Sequence, residues 1–117
     1  HLLQLSQDDL SIAPFGEKAP LSQYLGIPPE ELTICPHYGE QPYKAGDKYL
    51  LCSDGLTDMV PQEQIAQILT KQAPEPAAQQ LLRLALDNGG RDNVTLIVLE
   101  VEKTRSTGLL QRLKDLF

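Results

Sequence analysis

The chain has 117 residues, a hydrophobic fraction of 41% and a net charge of −6, which bounds it to one domain of ordinary size with enough apolar material for a core. Affinity for nucleic acid comes largely from Lys and Arg neutralising phosphates, so an acidic chain with scattered cations excludes itself as a nucleic-acid or anionic-membrane binder. No apolar run approaches the roughly 20 residues of a membrane span, and His1-Leu2-Leu3-Gln4-Leu5 has neither the basic start nor the long apolar core of a signal peptide. The first residue is not Met and leads straight into strand-like sequence, the expectation for a fragment or a processed product.

Residues 2–5 are apolar at three of four positions and predict a short strand. Residues 6–31 are turn-rich, with a helical turn expected over Leu21–Leu25 that Gly26 ends. Leu32-Thr33-Ile34-Cys35 alternates with β-favouring residues and reads as a strand. A loop from His37 to Gly46 follows, then a clearer strand over 48–53 whose core Tyr49-Leu50-Leu51-Cys52 is apolar throughout, as expected when both faces are covered. Residues 61–73 predict a helix with Pro61 in its first turn and Ile65, Ile68 and Leu69 as its apolar stripe. A second helix spans 76–87, burying Ala77, Ala78, Leu81, Leu82, Ala85 and Leu86, and Asn88-Gly89-Gly90 stops it in a turn. Val94 to Val101 is a final strand rich in β-branched residues. Residues 103–117 read as a polar linker and a short amphipathic tail carrying Leu109, Leu110, Leu113, Leu116 and Phe117. Strands, two helices and a strand make an α+β fold in which helices cover a largely antiparallel sheet. Cys35 and Cys52 show no CxxC spacing, so buried thiols in a reducing cytoplasm are expected, not a disulfide.

The candidate chemistry sits in two aspartates. Asp54 ends an apolar strand, and Gly55 beside it lets the backbone turn sharply or approach a ligand closely. Asp92 leaves the Gly89-Gly90-Arg91 turn just before the last strand. If the two strands are neighbours, both carboxylates emerge at one sheet edge, and carboxylate oxygens suit Mg²⁺ or Mn²⁺. Taken singly, each aspartate is more often a turn former or helix cap than a ligand; their pairing raises the metal reading. The remaining candidates carry less. His37, in a Pro-flanked loop, reads as a surface residue, Arg91 as a solvated turn cation and Asp58 as a cap for the helix that follows. Cys52 has no neighbouring cation to activate its thiol, and no phosphate-cradling GxxxxGK[ST] loop occurs.

Leu51-Cys52-Ser53-Asp54-Gly55-Leu56-Thr57-Asp58 and Gly90-Arg91-Asp92-Asn93-Val94-Thr95 resemble two hallmark motifs of the PP2C (PPM) metal-dependent protein serine/threonine phosphatases, in the family's order and with its pair of helices between them. Ala45-Gly46-Asp47 resembles the family's Gly-Asp lead-in. Leu3 to Asp9 resembles a further family segment, with Ser6 where Thr is usual and Asp9 where His is usual. The resemblance covers about residues 3–102 and implies that 1–102 is the C-terminal half of a phosphatase domain, part of an α-β-β-α sandwich. It implies hydrolysis of phosphoserine and phosphothreonine in protein substrates by a water activated between two Mn²⁺ or Mg²⁺ ions, with no phosphoenzyme. Asp54 and Asp92 would then be metal ligands, with Ser53, Gly55 and Asn93 shaping and orienting them; no further catalytic side chain is implied.

The family's Asp-Gly-x-Gly-Gly motif, which supplies the aspartate bridging both metals, is absent from the sequence, as is its N-terminal phosphate-binding arginine. The resemblance therefore implies that this fragment is inactive by itself, and that an apolar sheet face is left open to pairing with another chain. The alternative is a non-catalytic phosphatase-like module that binds a partner without turnover.

Overall fold

The structure, a computed structural model, describes residues 2–103. Of the linker and tail expected over 103–117, residues 104–117 lie outside the described residues. Two compact units divide the chain, Leu3–Gln41 and the part from Pro42 onward.

Among the described residues, the second unit holds all the regular elements. Strand β1 (Lys48–Cys52) is followed by a short helix α1 (Asp54–Thr57), helix α2 (Gln62–Lys71), helix α3 (Pro74–Asp87) and strand β2 (Leu96–Glu100). The two strands pair antiparallel, Lys48 opposite Glu100 and Cys52 opposite Leu96, so the neighbours that the metal reading requires are in place. Alternation then sends Leu50, Leu96 and Val98 to one face of the ribbon, where they pack on the helices. The core is Leu56, Val60, Ile65, Ile68, Leu69, Ala77, Leu81 and Ala85.

The helices form where the spacing of apolar residues placed them. Ile65, Ile68 and Leu69 point α2 into the core, and Ala77, Leu81 and Ala85 do so for α3. Two adjustments come with this. Pro61 is the N-cap of α2 instead of its first helical residue, and α3 begins at Pro74, whose missing N–H costs nothing at a helix start. Leu82 and Leu86, expected inside, are 40% and 56% exposed. Lys48 closes the other end of α2. Its ammonium donates to the carbonyls of Leu69 and Gln72, both at 2.7 Å, satisfying carbonyls that the helix leaves without partners.

The expected coverage of both faces of β1 is not found. Leu51, Ile97 and Leu99 are 55%, 57% and 42% exposed on the face away from the helices. Cys52, expected buried, is exposed, and so is Cys35; both are free thiols. What burial Cys52 has pushes its thiol pKa up, against reactivity.

The unit Leu3–Gln41 is built from turns. The helical turn expected over 21–25 is replaced by a bridge between Leu10 and Leu21 that closes a loop. Ser11 N–H donates to the Pro20 carbonyl at 2.8 Å and Ser22 N–H to the Asp9 carbonyl at 2.9 Å. The strand expected over 32–35 also does not form, for a specific reason. The Gln23 side-chain amide takes both backbone groups of Cys35, accepting from its N–H and donating to its carbonyl, each at 2.8 Å. A side chain thus supplies the hydrogen bonds that a ladder partner would. Residues 2–5 pair with no strand among the described residues.

Candidate metal centre

Asp54 does not simply end a strand. It is the first residue of α1, where a carboxylate meets the positive end of the helix. Four residues cannot hold a helix by propensity alone. What holds this one is burial of Leu56 and Val60, at 0% and 1% exposure, together with ties at both its flanks.

The first tie is Ser53, the N-cap residue, whose hydroxyl makes no cap bond to its own helix. It reaches across to the segment before β2 instead. Ser53 Oγ donates to the Asn93 carbonyl at 3.2 Å and accepts from the Thr95 N–H at 3.0 Å, while Ser53 N–H donates to the Thr95 carbonyl at 2.9 Å. The β1–β2 register therefore continues one step beyond the strands.

Gly55 continues it further. It is buried against Asn93, and a Cβ there would overlap the Asn93 carbonyl oxygen, lie 2.9 Å from the carbonyl carbon and 3.2 Å from Val94 Cγ2. Of the two roles expected for this glycine, a sharp turn is not the one found, since its φ is not positive. The close approach is, and its object is backbone.

Asp92 leaves α3 through Gly89 and Gly90, whose φ values of 135° and 53° lie where side chains are strained. Its Oδ1 accepts from the Asn93 N–H at 2.7 Å, so the turn-forming role is present. Asp54, Asp92 and Asn93 are solvent-exposed and Ser53 is half-buried. Ser53 and Asn93 thus meet through hydroxyl and backbone carbonyl, with Asp54 following one and Asp92 preceding the other. Asp58 does not cap α2, whose N-cap is Pro61; it is the C-cap of α1. Arg91 is exposed, and His37, also exposed, pairs with Asp9 at 2.9 Å within the other unit.

The donor set suits a hard divalent cation in kind, since both candidates are carboxylates. It falls short in number. Among the described residues there is no group of three or more His, Cys, Asp or Glu side chains placed to hold a metal ion.

No family model matches the chain. Individual proteins do. The serine/threonine protein phosphatase PstP of Mycobacterium tuberculosis is 55% identical over 60 residues, which is 50% of this chain and 11% of PstP. The protein phosphatase PhpP of Streptococcus pneumoniae is 32% identical over 101 residues, 86% of this chain and 39% of PhpP. The crystal structure of the M. tuberculosis phosphatase PstP/Ppp superposes with a TM-score of 0.67 at 30% identity, covering 87% of this chain and 48% of that one. The chain is a partial homologue of the bacterial PP2C-type serine/threonine phosphatases. A structure of the PstP catalytic domain in complex with two manganese ions matches 51% of this chain and 26% of that one, with a TM-score of 0.50 and 48% identity. The chain thus spans less than half the length of each of these PP2C-type relatives.

Two residues that hold the two turns together escape a reading of the sequence. Thr95 acts through its backbone N–H, which any residue but proline supplies. Asn88 sits in an Asn-Gly-Gly run that reads fully as a turn; its second bond, to the Met59 carbonyl, is visible only in three dimensions.

Proposed function

We propose that this chain is the C-terminal half of a PP2C-type phosphatase domain, part of an α-β-β-α sandwich, that removes phosphate from phosphoserine and phosphothreonine in proteins. The observation that carries the reading is the pinned crossing of Ser53–Gly55 with Asn93–Thr95, flanked by two carboxylates. The homology to PstP supports it, and so does the manganese in a PstP structure.

In this reading Asp54 and Asp92 hold Mn²⁺ or Mg²⁺. The bound ions supply Lewis acidity and lower the pKa of a water at neutral pH. This chain's own residues do the positioning. Ser53 fixes the start of α1 against the Asn93 carbonyl, and the bare Cα of Gly55 allows the two segments to touch. Asn93 ties its own N–H to Asp92 and so restricts that carboxylate. The remaining ligands come from the part of the domain that the relatives have beyond the matched region, so a fragment alone binds metal weakly.

The test is Mn²⁺-dependent hydrolysis of p-nitrophenyl phosphate by the full-length protein and by its Asp54→Asn variant. Activity that requires Mn²⁺ and falls at least about a hundredfold in the variant is expected. Full-length protein that folds and is silent moves the assignment to a non-catalytic phosphatase-like module.

A further inference from the structure

We propose that Asn88 is a positioning residue for the two aspartate-bearing turns, resting on the assignment of Asp54 and Asp92 as the cation ligands. Its Nδ2 donates to the Met59 carbonyl at 2.8 Å, across 29 positions of sequence. The side-chain orientation follows from the partner, because only the amide nitrogen can donate to a carbonyl.

The position of this bond gives it a function beyond ending a helix. Asn88 is the C-cap of α3, its N–H making the last helical bond to the Leu84 carbonyl at 2.9 Å before Gly89 and Gly90 turn the chain away. The side chain is therefore available for a second task. Met59 lies directly after Asp58, the C-cap of α1, and its N–H donates to the Leu56 carbonyl at 3.1 Å. Asn88 begins the run Asn88-Gly89-Gly90-Arg91 that delivers Asp92.

Ser53 and Asn88 thus act at opposite ends of the same two segments. Ser53 ties the start of α1 to Asn93 and Thr95, beyond Asp92. Asn88 ties the residue just past α1 to the position where the Asp92 turn begins. The contacts of Ser53 and Gly55 with Asn93–Thr95 fix one end of the two segments, and the Asn88–Met59 bond fixes the other, so the segments are held at two separated points. The need is greatest in the Asp92 turn, because Gly89 and Gly90 are the most permissive residues available for it. Packing supports the same link, since a Cβ on Gly89 would lie 3.7 Å from Met59 Sδ.

The experiment is two-dimensional ¹H–¹⁵N NMR of the full-length protein, which supplies the remaining ligands, with Mn²⁺ alone as the probe, in the parent, Asn88→Ala and Asn88→Gln. In the parent, Mn²⁺ broadens the amides of both turns over the same concentration range. In Asn88→Ala the concentration for half-broadening rises about tenfold, the lower end of what removing a ligand-orienting contact costs. Amide exchange at Asp58–Val60 and Gly89–Gly90 rises about fivefold, as for loss of one hydrogen bond, while α2 exchange is unchanged. Asn88→Gln retains the amide donor and responds within about twofold of the parent. A purely structural role would lower the melting temperature of Asn88→Ala without moving the Mn²⁺ response of its folded resonances, and that result overturns the proposal. If Asn88→Ala does not fold, Asn88→Gln decides: raised amide exchange at Asp58–Val60, showing the tie to Met59 lost, with an unchanged Mn²⁺ response overturns it as well. A parent that shows no broadening at either turn overturns the cation assignment itself, which separates the two failures.

Discussion

Substituting Gly55 by Ala sets two physical effects against each other, and the structure decides which wins. Gly55 lies inside α1 with a negative φ. By helix propensity alone the change stabilises by about 1 kcal/mol. The clearance argues the opposite. The new methyl group would overlap the Asn93 carbonyl oxygen and press on Val94 Cγ2 at 3.2 Å. The main obstacle is backbone and cannot swing aside like the end of a side chain. Overpacking of this kind costs about 1–3 kcal/mol, and the upper end applies here. Moving the Asn93 carbonyl also breaks its bond from Ser53 Oγ and strains the one that Ser53 Oγ accepts from Thr95, each worth about 1 kcal/mol. The net expectation is a loss of about 3–4 kcal/mol, a large part of a typical domain's stability. Urea denaturation followed by far-UV circular dichroism measures it. Ser53→Ala alone should cost about 1–2 kcal/mol, and the pair should be less than additive because Gly55→Ala has already disrupted the same bonds. A Gly55→Ala protein as stable as the parent refutes the reasoning, and so does a fully additive cycle.

Lys48→Met keeps the apolar stem but removes both bonds to the end of α2; urea titration should show about 1–2 kcal/mol lost, and amide exchange should rise first at residues 69–72. Asp9 titrates below the ordinary aspartate range, chiefly because the Gln23 amide donates to it and further because His37 lies against it. A lowered folded-state pKa stabilises above the unfolded value, and that contribution is lost as pH falls through the folded one. Gln23→Leu should move the Asp9 carboxyl titration, followed by ¹³C NMR, back up toward ordinary aspartate. An unchanged titration would show that Gln23 is not the main cause.

What the sequence makes legible follows the range of the interactions. Helices α2 and α3 are readable because Ile65, Ile68 and Leu69, and Ala77, Leu81 and Ala85, repeat at helical spacing within one segment. Strands β1 and β2 are readable as two apolar runs, one of them rich in β-branched residues, whereas their pairing enters the sequence reading only as a condition and is supplied by the structure. Helix α1 is not, because Asp54-Gly55-Leu56-Thr57 is too short to show a period and is held by partners some forty positions away. Residues 32–35 mislead for a related reason. Their alternation is genuine, but Gln23, twelve positions before Cys35, occupies the backbone groups that a strand would use. Asp54 and Asp92 are legible as candidates because their motifs are local. Ser53 enters as a candidate only through the resemblance, and its bonds to Asn93 and Thr95 are not visible in the sequence; Asn88 looks like an ordinary turn residue.

The two faces of the β1–β2 ribbon have different consequences for the candidate centre. Leu50, Leu96 and Val98 face the helices and pack on the core that contains Leu56 and Val60. Leu51, Ile97 and Leu99 face away and remain largely exposed. Two five-residue strands are marginal as an isolated sheet, so the ribbon owes its order to the helix side. The bonds that place the Asp54 and Asp92 segments run from Ser53 and Asn88 to Asn93, Thr95 and Met59, and none of these bonds runs to Leu51, Ile97 or Leu99. Coordination number, by contrast, does require more than this chain's two candidate carboxylates. Metal affinity should therefore depend on the rest of the domain much more than turn geometry does. Covering the exposed face should raise global stability while leaving the Ser53–Asn93 and Asn88–Met59 bonds where they are.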